Sequence, residues 1–120
     1  AAMGSSIDPA TTTTTVVGCD ITAPTLEAPA DNGDVGTAVV PLEWSYTGCR
    51  TGSGFVFHVQ VASEPDFSIL AASRAVRVTT WDTPALPCGD YWWRVRALTD
   101  DVSGPWSLMR AFVLDHGTCS

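Results

Sequence analysis

From Asp90 to Leu98 the chain sets Tyr91, Trp93, Val95 and Ala97 against Trp92, Arg94 and Arg96, a period of two that suits a strand and not a helix. A helix would scatter those apolar side chains around its axis, whereas a strand gathers them on one face. The pattern recurs. Ala38 to Tyr46 places Val40, Leu42 and Trp44 on one face with Pro41 and Glu43 on the other, and Phe55 to Ala62 turns Phe55, Phe57, Val59 and Val61 inward and His58 and Gln60 outward.

Turn-forming residues separate these runs: Pro29, the plain turn Asp31-Asn32-Gly33-Asp34, and Glu64-Pro65-Asp66. An opening strand is predicted over Thr25 to Ala28, short strands near Ser68 to Ala72 and Ala75 to Trp81, and a last strand beginning near Trp106 and running through Phe112 to Leu114. Seven strands with no helical pattern predict an all-β, antiparallel, immunoglobulin-like sandwich over residues 21–120. Residues 1–20 differ. The run Thr11, Thr12, Thr13, Thr14, Thr15, Val16, Val17 has no helical period, and its β-branched side chains favour extended backbone, so it reads as a tail or a lone strand.

At 120 residues the chain can bury one core, and 45% hydrophobic against 16% charged residues describes an ordered protein. Thirteen acidic residues face six arginines and no lysine, a net charge of −7, which leaves little to grip nucleic-acid phosphates or anionic lipid. The acidity reads as a soluble surface. No apolar run approaches the ~20 residues that cross a bilayer.

Cys19, Cys49, Cys88 and Cys119 are widely spaced, with only His58 and His116 to complete a metal site, so no metal is expected. An even number of cysteines in a small β-rich chain favours two disulfides and an oxidising, extracellular or cell-surface setting. Ala1-Ala2-Met3-Gly4 reads either as a cloning remnant or as the start of a mature secreted chain, and the lack of a histidine tag favours the second.

The ordered set of residues resembles the fibronectin type III family across roughly Pro24 to Asp115. Pro24 and Leu26 are similar to the family's opening proline and first apolar residue, Leu42 and Trp44 to its core L-x-W, and Phe57, Val59 and Val61 to its aromatic-x-Val strand. Phe67 resembles the phenylalanine that follows in many bacterial members. Leu86, Gly89 and Tyr91 resemble the leucine, turn glycine and corner tyrosine, whose hydroxyl is implied to bond backbone just upstream. The cysteines depart from the family, which usually lacks disulfides. In the implied topology the start of the first strand shares a pole with the Cys49 loop, and the Cys88 loop shares the other with the end of the last strand. Cys19 is therefore expected to pair with Cys49, and Cys88 with Cys119. A bridge between Cys19 and Cys119 would span the sandwich, far beyond the ~7 Å limit on Cα separation.

Catalytic chemistry finds no support: there is no G-x-S-x-G elbow, the cysteines are expected to be oxidised, and His58 reads as an ordinary surface residue. Asp31-Asn32-Gly33-Asp34 lacks the spacing and terminal glutamate of a calcium loop, and Gly52-Ser53-Gly54 has no following helix or lysine to make a phosphate cradle. Trp92, Arg94, Arg96 and Trp106 are the candidate site. Arginine stacks on tryptophan at about 0.5–2 kcal/mol per contact, and Gly104-Pro105-Trp106-Ser107 looks like half of the Trp-Ser motif of cytokine-receptor modules, where such a ladder occurs.

The expected function is therefore a non-catalytic, cofactor-free extracellular module. The first reading makes it a subunit of a homopolymeric surface filament, joined by its N-terminal strand adding to a sheet edge on the next copy. A glycan-bearing stalk and a disordered linker are the other readings of the tail. The alternative function is a carbohydrate- or protein-binding module of a secreted system, acting through Trp92 and its neighbours.

Overall fold

The computed structural model describes residues 20–50 and 54–115. Eight strands follow one another: β1 Thr25–Ala28, β2 Gly33–Val35, β3 Pro41–Ser45, β4 Val56–Ala62, β5 Leu70–Val76, β6 Thr80–Asp82, β7 Gly89–Leu98 and β8 Arg110–Leu114. They form two sheets, β1-β3-β6 and β2-β8-β7-β4-β5, with no helix among the described residues. Each sheet turns its apolar alternate residues toward the other. Leu42, Phe57, Val59, Val61, Trp93, Val95 and Ala97 are fully buried, with Trp44, Tyr91, Phe112 and Leu114 close behind. The aromatic side chains meet edge to face, as ring quadrupoles favour: Trp44 lies 5.8 Å from Phe57 at 69°. The tyrosine corner is present, the Tyr91 hydroxyl donating to the Pro87 carbonyl at 2.7 Å.

The opening strand is shared between the sheets, which raises the count from seven to eight. The turn expected over Asp31 to Asp34 is confined to Asp31 and Asn32, the latter at φ 62°. Gly33–Val35 then pairs parallel with Phe112–Leu114, so the sandwich is not wholly antiparallel. Glycine and aspartate are poor strand formers, and it is the partner strand that orders them. Asn32 N–H donates to the Ala111 carbonyl at 2.7 Å, and the Ala111 N–H donates to Asp31 Oδ1 at 3.0 Å.

Two other boundaries differ from expectation. The strands predicted near 68–72 and 75–81 are instead one seven-residue strand, Leu70–Val76, and the short Thr80–Asp82. Leu70–Val76 lies at a sheet edge with most of its side chains exposed, and only Ala72 and Val76 pack against the core, too few to impose an alternation on it. Regular pairing of the last strand starts at Arg110, not Trp106. Ahead of it the chain is tied to β7 by separate bonds, Gly104 N–H to the Ala97 carbonyl and Ser107 N–H to the Val95 carbonyl, each 2.8 Å. Pro105, between them, has no N–H to extend a ladder.

Candidate functional site

The outward face of β7 and β4 carries the candidate site. Antiparallel register sets Arg96 opposite His58 and Arg94 opposite Gln60, and opposite residues share a face. Trp106, on the irregular approach to β8, lies over both arginines. The Arg94 guanidinium carbon is 4.0 Å from the Trp106 ring centroid and 4.1 Å from that of Phe67, while Arg96 is 4.4 Å from Trp106. The result is an interleaved ladder, Phe67–Arg94–Trp106–Arg96, with His58 tilted against Trp106 at 5.5 Å. Arg94 Nε and Nη2 both donate to Gln60 Oε1, at 3.0 and 2.8 Å.

Phe67 reaches the ladder at φ 59°, a left-handed conformation uncommon for a bulky residue. A tight turn holds it there. Phe67 N–H donates to the Glu64 carbonyl and Ser68 N–H to Asp66 Oδ1, both at 3.0 Å. The Ser68 side chain, then its backbone, hold the Asp66 carboxyl below its usual range. Backbone strain of this kind costs on the order of 1–3 kcal/mol and persists where the surroundings over-determine it.

Of the four candidate residues the structure brings together Arg94, Arg96 and Trp106. Trp92 shares their face but stands apart, opposite Ala62 and Ala111, beside a shallow hollow lined by Asn32, Asp90 and Val113. Sequence reasoning gave no ladder role to Gln60, His58 and Phe67. The strand alternation put Gln60 and His58 outward, but only the register reveals their partners. A second cation–aromatic cluster was also missed: the Arg50 guanidinium carbon lies 5.4–5.9 Å from the Tyr46, Phe55 and Phe57 ring centroids.

The ladder is electrostatically one-sided. Burial first, then Arg96 and Arg94, push the His58 pKa below its ordinary value, and burial followed by Arg96 lowers that of Arg94. No ion pair to either guanidinium forms among the described residues. A pH effect follows. The unfolded chain binds a proton at His58 more readily than the folded one, so His58 contributes stability that is lost as pH falls through its unfolded value near 6.5. Between pH 7.5 and 5 the melting temperature of the native protein is expected to fall more than that of His58→Gln. Parallel curves for the two proteins would refute this.

Cys49 is buried in the β3–β4 loop, its N–H donating to the Asp20 carbonyl at 2.8 Å, and Cys88 precedes β7. Neither is a free thiol. Cys19, Cys119, His116, Gly52 and Ser53 lie outside the described residues, as do Thr11, Thr12, Thr13, Thr14, Thr15, Val16 and Val17. No group of three metal-binding side chains occurs among the described residues, and they contain no helix long and apolar enough to cross a membrane.

No protein-family model and no curated protein matches the sequence. Solved structures do match. A fibronectin type III domain of human fibronectin type III domain containing protein 3 superposes with a TM-score of 0.61 at 15% identity, over 82% of this chain and 91% of its own. The 6th such domain of a protein of that name gives 0.58 at 14%, over 86% and 92%. The FN1-FN3 domains of chicken CNTN1 give 0.60 at 13%, over 81% of this chain and 34% of that larger fragment. At such low identity the likeness speaks to architecture alone, and the architecture of this chain is that of a fibronectin type III-like β-sandwich.

Proposed function

We propose that the chain is a non-catalytic extracellular module and the repeating subunit of a surface filament, joined by the N-terminal segment 11–17 adding as a strand to the next copy. The observation that supports this reading is the β5 edge. Leu70–Val76 is seven residues long, the outermost strand of its sheet, and contains neither proline nor lysine. Natural edge strands are usually shortened, charged or covered, because their outer N–H and C=O groups template another strand. Here only Arg74 interrupts a run of small residues, and Ile69, Leu70 and Val78 beside it are 58%, 44% and 60% exposed. A β-branched threonine and valine segment suits that edge, since backbone bonds supply affinity and alternate side chains fill pockets. Because donor and acceptor surfaces differ, the contact is heterologous and propagates.

Deletion of residues 1–18 tests it. The shortened protein is expected to stay monomeric in sedimentation velocity while the full chain forms long assemblies visible by electron microscopy. Unchanged assembly after deletion would end the strand-addition reading. The second reading, recognition of a glycan or protein, draws on the ladder, where a strained Phe67 and two half-buried guanidiniums without an ion pair among the described residues lie on one outer face. A truncated monomer that still binds a glycan array would favour it.

A further inference from the structure

The two outer faces of the sandwich differ in charge: Arg94 and Arg96 form a cationic patch on one, whose far side carries Asp34 and Asp90 level with Val113, and carboxylates gather on the other. On the five-stranded sheet Arg94 and Arg96 sit beside His58 and Gln60 with no carboxylate partner among the described residues. On the three-stranded sheet the outward residues are Glu27 of β1, Glu43 of β3 and Asp82 of β6, all exposed. Register gathers them: Glu43 pairs with Ala28, next to Glu27, and Pro41, two residues from Glu43, pairs with Asp82. Thr25, Ser45 and Thr80 fill the rest of that face, and Ser45 Oγ donates to Glu27 Oε2 at 2.8 Å.

We propose that these faces dock on each other: the cationic ladder face of one copy seats on the Glu27–Glu43–Asp82 face of a second copy. Charge complementarity selects this occupant. The chain has six arginines against 13 acidic residues, and the exposed Glu27, Glu43 and Asp82 offer carboxylates to two adjacent guanidiniums that have no ion pair among the described residues. Planar guanidinium forks suit carboxylates, and stacking on Phe67 and Trp106 holds them in place before contact, which reduces the ordering cost of association. Glu27 and Glu43 lie on neighbouring strands, about 5 Å apart in a sheet, a spacing comparable to that of Arg94 and Arg96 along one strand at about 6.6 Å. Front-to-back contact is heterologous and does not close, so copies stack into an open array. The contact needs nothing from residues 1–19 and stands whether or not the tail adds to an edge.

The test is a pair of charge-reversed full-length proteins. Arg94→Glu/Arg96→Glu has two acidic faces, and Glu27→Arg/Glu43→Arg has two cationic ones. Each alone is expected to lose the salt-sensitive part of the native chain's self-association in sedimentation velocity at 20 mM against 500 mM NaCl. Mixed, they are expected to bind each other at least about tenfold more tightly at low salt than either binds itself, measured with one labelled partner. The second variant changes exposed side chains only, so it keeps the test valid if loss of the ladder unfolds the first: it should not self-associate, yet its intact ladder face should still bind the native acidic face and, having no acidic face to offer the next copy, should shorten native assemblies. Association of the native chain that ignores salt, reversed proteins that self-associate as the native one does, or a mixture that binds no better than its components would each overturn the proposal. So would capture of a sulfated glycan by the ladder with no self-association at low salt.

Discussion

Trp93→Ala is expected to cost about 3–5 kcal/mol, the range for removing a large aromatic side chain from a packed core. Against a total stability of about 5–15 kcal/mol for a domain of this kind, that removes at least about a fifth of it. Trp93 has no exposed surface, sits at the middle of the five-stranded sheet opposite Val61, and lies 6.4 Å from Trp44 across the sandwich. The neighbouring strands are held by their own ladders, so they cannot collapse into the space left behind. Trp93→Phe should cost clearly less. The indole Nε1 has no hydrogen-bond partner, so phenylalanine removes an unsatisfied donor while keeping most of the volume. Urea unfolding checks both, as a fall in midpoint at unchanged slope. Leu108→Ala, at a side chain 91% exposed, is the control and should move the midpoint little. A Trp93→Ala shift no larger than the control's would mean that the core is not centred where the two sheets place it.

How far the sequence exposes this fold depends on whether a strand is half-buried. β3, β4 and β7 each have one buried face, and their alternation, Leu42 and Trp44, Phe57 to Val61, Tyr91 to Ala97, reads directly as strand. β2 and β5 do not read so. Gly33–Val35 is ordered by its parallel partner, and Leu70–Val76 has only Ala72 and Val76, four residues apart, against the core, which is too little to show a period. Tertiary context overrides local preference at both.

The site divides along the same line. Arg94 and Arg96 are legible as outward residues of β7, and the Trp106-Ser107 pair as their cover. What completes the ladder is not local. Gln60 and His58 arrive by cross-strand register, and Phe67 by a turn whose φ of 59° no residue pattern announces. Trp92, equally outward in sequence, is left out of the stack because its cross-strand neighbours Ala62 and Ala111 offer no ring or guanidinium.

The largest stabilisation expected from outside the core is covalent. If Cys19 pairs with Cys49 and Cys88 with Cys119, each bridge closes a loop of about 30 residues and stabilises by about 3–4 kcal/mol through restriction of the unfolded chain. Asp20 supports the first link, since its carbonyl accepts the Cys49 N–H at 2.8 Å and so brings the residue next to Cys19 against Cys49. The pairing of Gly89 with Leu114 supports the second, because Cys88 precedes the one and Cys119 follows the other by five residues. A link between Cys49 and Cys88 conflicts with the strand lengths. The ten residues of β7 separate the poles by about 33 Å, several times the span of a disulfide. Cys49→Ala and Cys88→Ala should each lower the urea midpoint, and reduction of the native protein should lower it by more than either. Peptide mapping without reductant should recover the two expected links. Recovery of a Cys49–Cys88 link would contradict the placement of these loops at opposite ends of the sandwich, and a reduced protein as stable as the oxidised one would show that the core alone carries the fold.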